Sequence, residues 1–277
     1  MCPPAWSSNC MLDEGRLEDE GALSNQVALV LGGTGLVGRE VCRALAAQGV
    51  AVAVHHRTGP AVAGGAAVAG AGVAGAGVAD AAVEVLVDAT CVGAGAQAVK
   101  LTAQLLGPPV IVVNSFHPHF EPVAIAAMAY ERDWANHLAS LRFYVEVVTA
   151  ALPGMRAARF GRFVLMSGAI SARPLPGCAA YGTVKAGLHS FQRHLALEEG
   201  AYGVTANTIA PGRVVTRVPV PSSSGWEAAN ASGPRPALPG EGPRAAEVAA
   251  LAAFLCRPEA KGITGQVVYM AQGQVMP

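Results

Sequence analysis

Short apolar runs recur along this chain, and most lead into a stretch with helical spacing. VALVL at 27–31, VAVAV at 50–54, VEVLV at 83–87, VIVV at 110–113, FVLM at 163–166, VTANTIA at 204–210 and VVYM at 267–270 make seven such runs. Continuous apolar runs of this length suit strands covered on both faces, and the segments between them, such as LVGREVCRALAAQG at 36–49, have the apolar spacing of helices. Strand and helix in alternation predict an α/β fold, a doubly wound, about seven-stranded parallel sheet with helices on both faces. A ligand site in such a sheet lies at the carboxyl ends of the strands.

The 277 residues are read as one domain over 25–277, preceded by a disordered extension at 1–24, whose acids are unlike the basic start of a signal peptide. Residues 59–82 are Gly/Ala/Val-rich and are expected to form a poor crossover helix, since glycine costs roughly 1 kcal/mol per helical position relative to alanine. That stretch lacks the leucine, isoleucine and phenylalanine of a membrane span. The Pro/Ser/Gly-rich segment at about 217–240 is expected to be a lid, with Trp226 its large apolar residue. Lysines plus arginines number 19 against 19 acids, and 14% of residues are charged, which argues against a nucleic-acid surface. The six cysteines form no C-x-x-C pair, which fits reduced thiols and a cytoplasmic protein. No metal site is expected, and His55 and His56 are read as surface histidines.

Two motifs carry chemistry. GGTGLVG at 32–38 follows the first apolar run and spaces Gly32, Gly35 and Gly38 three apart. Such spacing turns a strand sharply into a helix and brings backbone N–H groups and the positive helix end up to a pyrophosphate. Tyr181 and Lys185 stand four apart at the start of a helical pattern, so both side chains share one face. A nearby ammonium favours the phenolate and is expected to lower the tyrosine pKa from about 10, which makes the pair an acid/base device. At the end of the second run stand His55, His56, Arg57 and Thr58, with no acid to accept from a ribose hydroxyl, and this favours NADPH over NADH. Arg57 is then either a phosphate clamp or a solvated loop residue.

AAYGTVKAG, the run LALEEGAYGVTANTIAPG and a threonine four beyond Gly212 together resemble the short-chain dehydrogenase/reductase family over about residues 26–274. The resemblance implies a Rossmann domain and a ketone-reducing activity like that of ketoacyl or carbonyl reductases, with Tyr181 and Lys185 catalytic. It places NADPH against Gly32, Thr34, Gly35, Leu36 and Gly38 of the glycine turn and against Arg57 and Thr58. It adds Asp88, Ala89, Asn114 and Ser115 at later strand ends, Tyr181 and Lys185, and Pro211, Gly212, Val214 and Thr216 of the P-G-x-x-x-T segment. The chain also departs from the family. The helix position of an asparagine that holds a water holds Ser140, and the serine thirteen before the tyrosine is Gly168. Ser167, or failing it Ser171, is the candidate oxygen-polarising hydroxyl. Phe116 either narrows the nicotinamide pocket or marks a loop built differently. The alternatives to NADPH-dependent ketone or thioester reduction are acid/base chemistry without net redox (dehydration, cyclisation or isomerisation) and a cofactor-binding pseudoenzyme. Family likeness further implies a homo-oligomer, tetramer or dimer, through helices at 134–152 and 181–199.

Overall fold

The computed structural model describes residues 23–56, 66–67, 82–119, 121–215, 237–238 and 242–275. Its parallel strands are β1 (Val27–Leu31), β2 (Ala51–His56), β4 (Val83–Val87), β5 (Ile111–Asn114), β6 (Gly161–Met166), β7 (Val204–Pro211) and β8 (Val267–Met270). A two-residue strand, β3 (Ala66–Ala67), pairs antiparallel to β4, and the order across the sheet is β3-β4-β2-β1-β5-β6-β7-β8. The expected apolar runs are therefore strands. β1 lies between β2 and β5, with Leu31 opposite His55 on one side and Asn114 on the other, so the chain changes direction across the sheet there. At such a switch point the strand ends leave a crevice for a ligand.

Five helices of eleven or more residues cover the sheet among the described residues: α1 (Leu36–Ala46), α2 (Ala94–Leu105), α3 (Ala135–Ala158), α4 (Ala179–Glu199) and α5 (Ala245–Cys256). α1 packs with α5, while α2 packs with α3 and α3 with α4. The sheet is buried through its centre, with every residue of β1, β6 and β7 inside. Leu23 also belongs to the core, at 1% exposure, so packing begins two residues ahead of the expected domain start.

Two local differences from the sequence reading have physical causes. The expected crossover helix at 59–82 lies outside the described residues except for Ala66–Ala67, which are strand. The parallel edge of β4 offers unpaired backbone groups, and a short antiparallel strand satisfies some of them. The helix expected to stop near Leu152 continues as α3 through Pro153 to Ala158. Pro153 and Thr149 are both exposed, so the carbonyl that loses its helical N–H faces water. A π-helical turn, Tyr130–Trp134, leads into α3.

Buried polar groups tie the helices to the sheet. Tyr144 Oη on α3 donates to Gln192 Oε1 on α4 at 3.1 Å, and Gln192 Nε2 donates to the carbonyl of Asn207 on β7 at 2.9 Å. Asn207 Nδ2 in turn donates to the Ile263 carbonyl at 2.6 Å, and its Oδ1 accepts from Gln266 N at 3.1 Å. No described helix is long and apolar enough to cross a membrane.

Candidate active site

The glycine turn is fixed by close approach. Gly32 sits at φ +69, and a Cβ there would lie 2.8 Å from Phe116 Cα. At Gly38 a Cβ would meet the Gly32 carbonyl oxygen at 2.3 Å, so α1 can start this near the strand end only with glycine. Thr34 and Leu36 are exposed beside the turn. The N-terminus of α1 has no side-chain cap and no acid in its first turn, which leaves its backbone N–H groups for an anion. These features fit a dinucleotide pyrophosphate.

His55, read from sequence as a surface residue, is instead fully buried and acts as a strut. Gly32 N donates to its Nδ1 at 3.4 Å, and its Nε2 donates to the Val87 carbonyl at 3.0 Å, so the ring is neutral with its proton on Nε2 by these partners. Burial pushes its pKa down to about 4. Among the described residues no group of three or more His, Cys, Asp or Glu is placed to hold a metal.

Arg57, Thr58 and Thr216 lie outside the described residues, as does the expected lid except for residues 237–238. Asp88 caps the end of β4, its Oδ1 accepting from Thr90 N at 2.9 Å and Thr90 Oγ1 at 2.8 Å, and Ala89 beside it is buried. Asn114 Oδ1 accepts from Phe116 N at 3.0 Å, and Ser115 N donates to the Leu31 carbonyl at 2.9 Å. The Phe116 ring contacts His55 and Phe143, with centroids 5.9 and 5.8 Å apart, so it turns into the interior and leaves the main cleft.

That cleft, about 240 Å³, opens at the carboxyl ends of the strands. It brings together Ser115, Ser167, Tyr181, Lys185, Pro211, Gly212 and Val214 from the sequence-predicted set, with Gly168 on its floor. α4 supplies a ladder of residues one turn apart. Tyr181 faces Gly168, where a Cβ would stand 3.4 Å from the phenolic oxygen, so a side chain at 168 would touch the phenol. Lys185 Nζ donates to the Met166 carbonyl at 3.0 Å. His189 Nε2 lies 2.6 Å from Ser167 Oγ, both groups buried, so the Ser167 hydroxyl is engaged with α4. Ser171 Oγ donates to the Gly168 carbonyl at 3.0 Å. Ser140 Oγ donates to the His137 carbonyl at 2.7 Å, and the residue lines a neighbouring cavity with Ala89 and Phe116 instead of the main cleft.

The expected effect of Lys185 on Tyr181 is overridden by burial. Desolvation, helped by the nearby Cys178 thiol, raises the phenol above its ordinary value. Lys185, with Nζ 5.6 Å from the Tyr181 ring centroid, is itself pushed down to about 8 by burial. The pair therefore holds a protonated tyrosine at neutral pH, a proton donor in waiting.

Sequence reasoning missed three histidines. His117 and His137 flank the Tyr181 ring at centroid distances of 5.0 and 5.9 Å. Burial first, and Lys185 next, lower both imidazoles, while His117 keeps an exposed edge at the cleft wall, where water limits the shift. His189 is lowered to about 4 by burial. Its spacing of four from Lys185 and eight from Tyr181 was the available signal. His117 and His137 had none, since they reach Tyr181 from a loop and from another helix.

Residues 35–274 match the family described as enoyl-(acyl carrier protein) reductase. A short chain dehydrogenase of Pseudocercospora fijiensis is 27% identical over 91% of this chain and 82% of its own length. The 3-oxoacyl-[acyl-carrier-protein] reductase of Pseudomonas aeruginosa is 28% identical over 69% of this chain and 76% of that protein. The crystal structure of a blue fluorescent protein from a metagenomic library, in complex with NADPH, superposes with a TM-score of 0.75 at 22% identity, covering 92% of this chain and 99% of that one.

Proposed function

Because the chain belongs to the short-chain dehydrogenase/reductase family, and is an oxidoreductase of the CH–OH/C=O couple, we propose that it reduces a ketone to a secondary alcohol with NADPH. The observation that carries this reading is the α4 ladder: Tyr181 and Lys185 enter one cleft with the strand ends, and burial keeps Tyr181 protonated. The cofactor, when bound, supplies the hydride that adds to the carbonyl carbon. Tyr181 donates its phenolic proton to the carbonyl oxygen as that carbon is reduced. Lys185, held by the Met166 carbonyl, carries the positive charge that favours the resulting tyrosinate. Gly32, Gly35 and Gly38 with the α1 N-terminus would hold the pyrophosphate, and Pro211, Gly212 and Val214 would border the nicotinamide end.

Preference for NADPH is supported by the non-acidic HHRT sequence at the end of β2 and by the NADPH complex of a protein with this fold. Ketone or thioester substrates are supported by the 3-oxoacyl reductases among the relatives. We place the protein in the cytoplasm as a homotetramer joined through α3 and α4, where Leu197 stands 82% exposed. Turnover of 3-oxo thioesters and cyclic ketones, followed by NADPH absorbance and run beside Tyr181→Phe, tests the reading; turnover that survives the substitution overturns it. Gly168 favours one second reading, acid/base chemistry without net redox, because no hydroxyl at that position supports a developing alkoxide. Substrate converted with no loss of NADPH would establish it.

A further inference from the structure

The cleft has a charge bias: among its described lining residues Arg173, Lys185 and Arg213 are cationic, and none is Asp or Glu. The three cations occupy different places. Lys185 is bonded at the end of β6, and Arg213 follows Pro211 and Gly212 on the segment assigned to the nicotinamide end. Arg173 lines the cleft from the loop after β6, where its backbone N–H donates to the Ala169 carbonyl at 2.9 Å. It is the fifth residue after Gly168, which faces the Tyr181 hydroxyl.

Its guanidinium makes no hydrogen bond or ion pair with any described residue, and Nη2 is shut away from solvent without a partner. A buried N–H left unpaired is costly, and a guanidinium stays charged at any physiological pH. Ile170 and Leu175 line the same wall and make the surroundings apolar, which strengthens any charge pairing made there. A planar fork in such a place suits the two oxygens of a carboxylate or phosphate.

We propose that the ketone reduced at Tyr181 carries an oxyanionic group, a carboxylate or a phosphate ester, and that Arg173 is the residue that binds it. The inference rests on the ketone-reductase reading for the identity of the reacting group, and on Arg173 for the charge. Gly168, which faces the Tyr181 hydroxyl, and Arg173 flank the single turn Ala169–Ser171.

The test compares a keto acid, its methyl ester and the matching keto phosphate with wild type, Arg173→Met and Arg173→Lys. Wild type should favour the keto acid or the keto phosphate over the neutral ester by about thirtyfold in kcat/KM, chiefly through KM, given the strength of charge-assisted pairs. The preferred oxyanion identifies the group. In Arg173→Met the ratio should fall towards one, and Arg173→Lys should restore part of it. Equal use of acid, phosphate and ester by wild type, or an equal loss on all three in Arg173→Met, overturns the proposal. Calorimetric binding of the hydroxy-acid and hydroxy-phosphate products separates it from the underlying reading. If no ketone consumes NADPH, the reductase reading falls; binding of either product that disappears in Arg173→Met still sustains the arginine site, and binding that persists removes it.

Discussion

The glycine turn after β1 and the cleft floor after β6 lie at the same carboxyl end of the sheet, yet they are built by different kinds of constraint. At the turn the decisive contacts are backbone to backbone: Gly38 against the Gly32 carbonyl, Gly32 against Phe116 Cα. At the floor they are side chain to side chain: His189 with Ser167, His117 and His137 around Tyr181, and a glycine where a hydroxyl would face the phenol. Backbone constraints admit almost no substitution, whereas side-chain constraints can be met by several residue sets. The tighter constraint therefore sits at the turn, and the wider choice of side chains at the floor.

The largest effect that would break this contrast is at Tyr181. Tyr181→Phe should lower kcat about a thousandfold, the scale of a lost general acid, while NADPH binding measured by fluorescence stays within about twofold. Gly38→Ala should do the opposite, costing about 3 kcal/mol of stability and weakening cofactor binding, because its Cβ would stand 2.3 Å from the Gly32 carbonyl oxygen, which accepts from Gly35 N within the turn. A thermal melt with and without NADPH reads both effects; an unshifted melt would show that the turn yields. The two regions share one acid sensitivity. Burial holds His55 at the turn and His189 at the floor neutral, pushing each pKa down to about 4 from the ordinary imidazole value of about 6.5. Folded pKa values below the unfolded ones mean that this stability is complete above about pH 6.5 and is lost as pH falls towards 4. Each of the two takes up its proton only on unfolding and so contributes roughly 1.4 kcal/mol per pH unit near pH 5 to the fall in denaturation free energy, to which the lowered His117 and His137 add. His55→Asn or His189→Asn should each reduce the slope by about that amount.

Smaller changes sharpen the comparison. Gly168→Ser places a hydroxyl beside Tyr181 Oη and should raise kcat by about tenfold to a hundredfold if an alkoxide forms there. An unchanged or lower kcat would favour chemistry in which no alkoxide develops. Ser140→Ala removes one bond to the His137 carbonyl and should cost less than about 1 kcal/mol with turnover unaltered. A large loss of turnover there would mean that Ser140 serves the site through more than its helix bond.

What was legible in the sequence follows the same division. Continuous apolar runs gave the parallel strands because a strand covered on both faces has no room for polar side chains, and the glycine spacing gave the turn because only glycine fits it. Tyr181 and Lys185 were legible because one helix fixes their relation. β3 and the passage of α3 through Pro153 were not, since each depends on what a neighbouring edge or the solvent offers the backbone. The direction of the Tyr181 pKa shift was missed for a related reason: spacing along a helix places a charge nearby but carries no information about burial. His117, His137 and Arg173 reach the site from three separate segments, a relation that local patterns do not encode.

The polar chain from Tyr144 through Gln192 to Asn207 bears on the order in which the molecule matures. Its links span 48 and 15 residues, and Asn207 closes on Ile263 and Gln266 across 56 and 59 more. Contacts so distant in sequence form late, after the entropy of closing long loops has been met. The helix that aims Tyr181 and Lys185 is thus secured by residues synthesised some eighty positions after it begins. A nascent chain can present every side chain of the proposed site and still lack the assembled cleft until its last strand has docked.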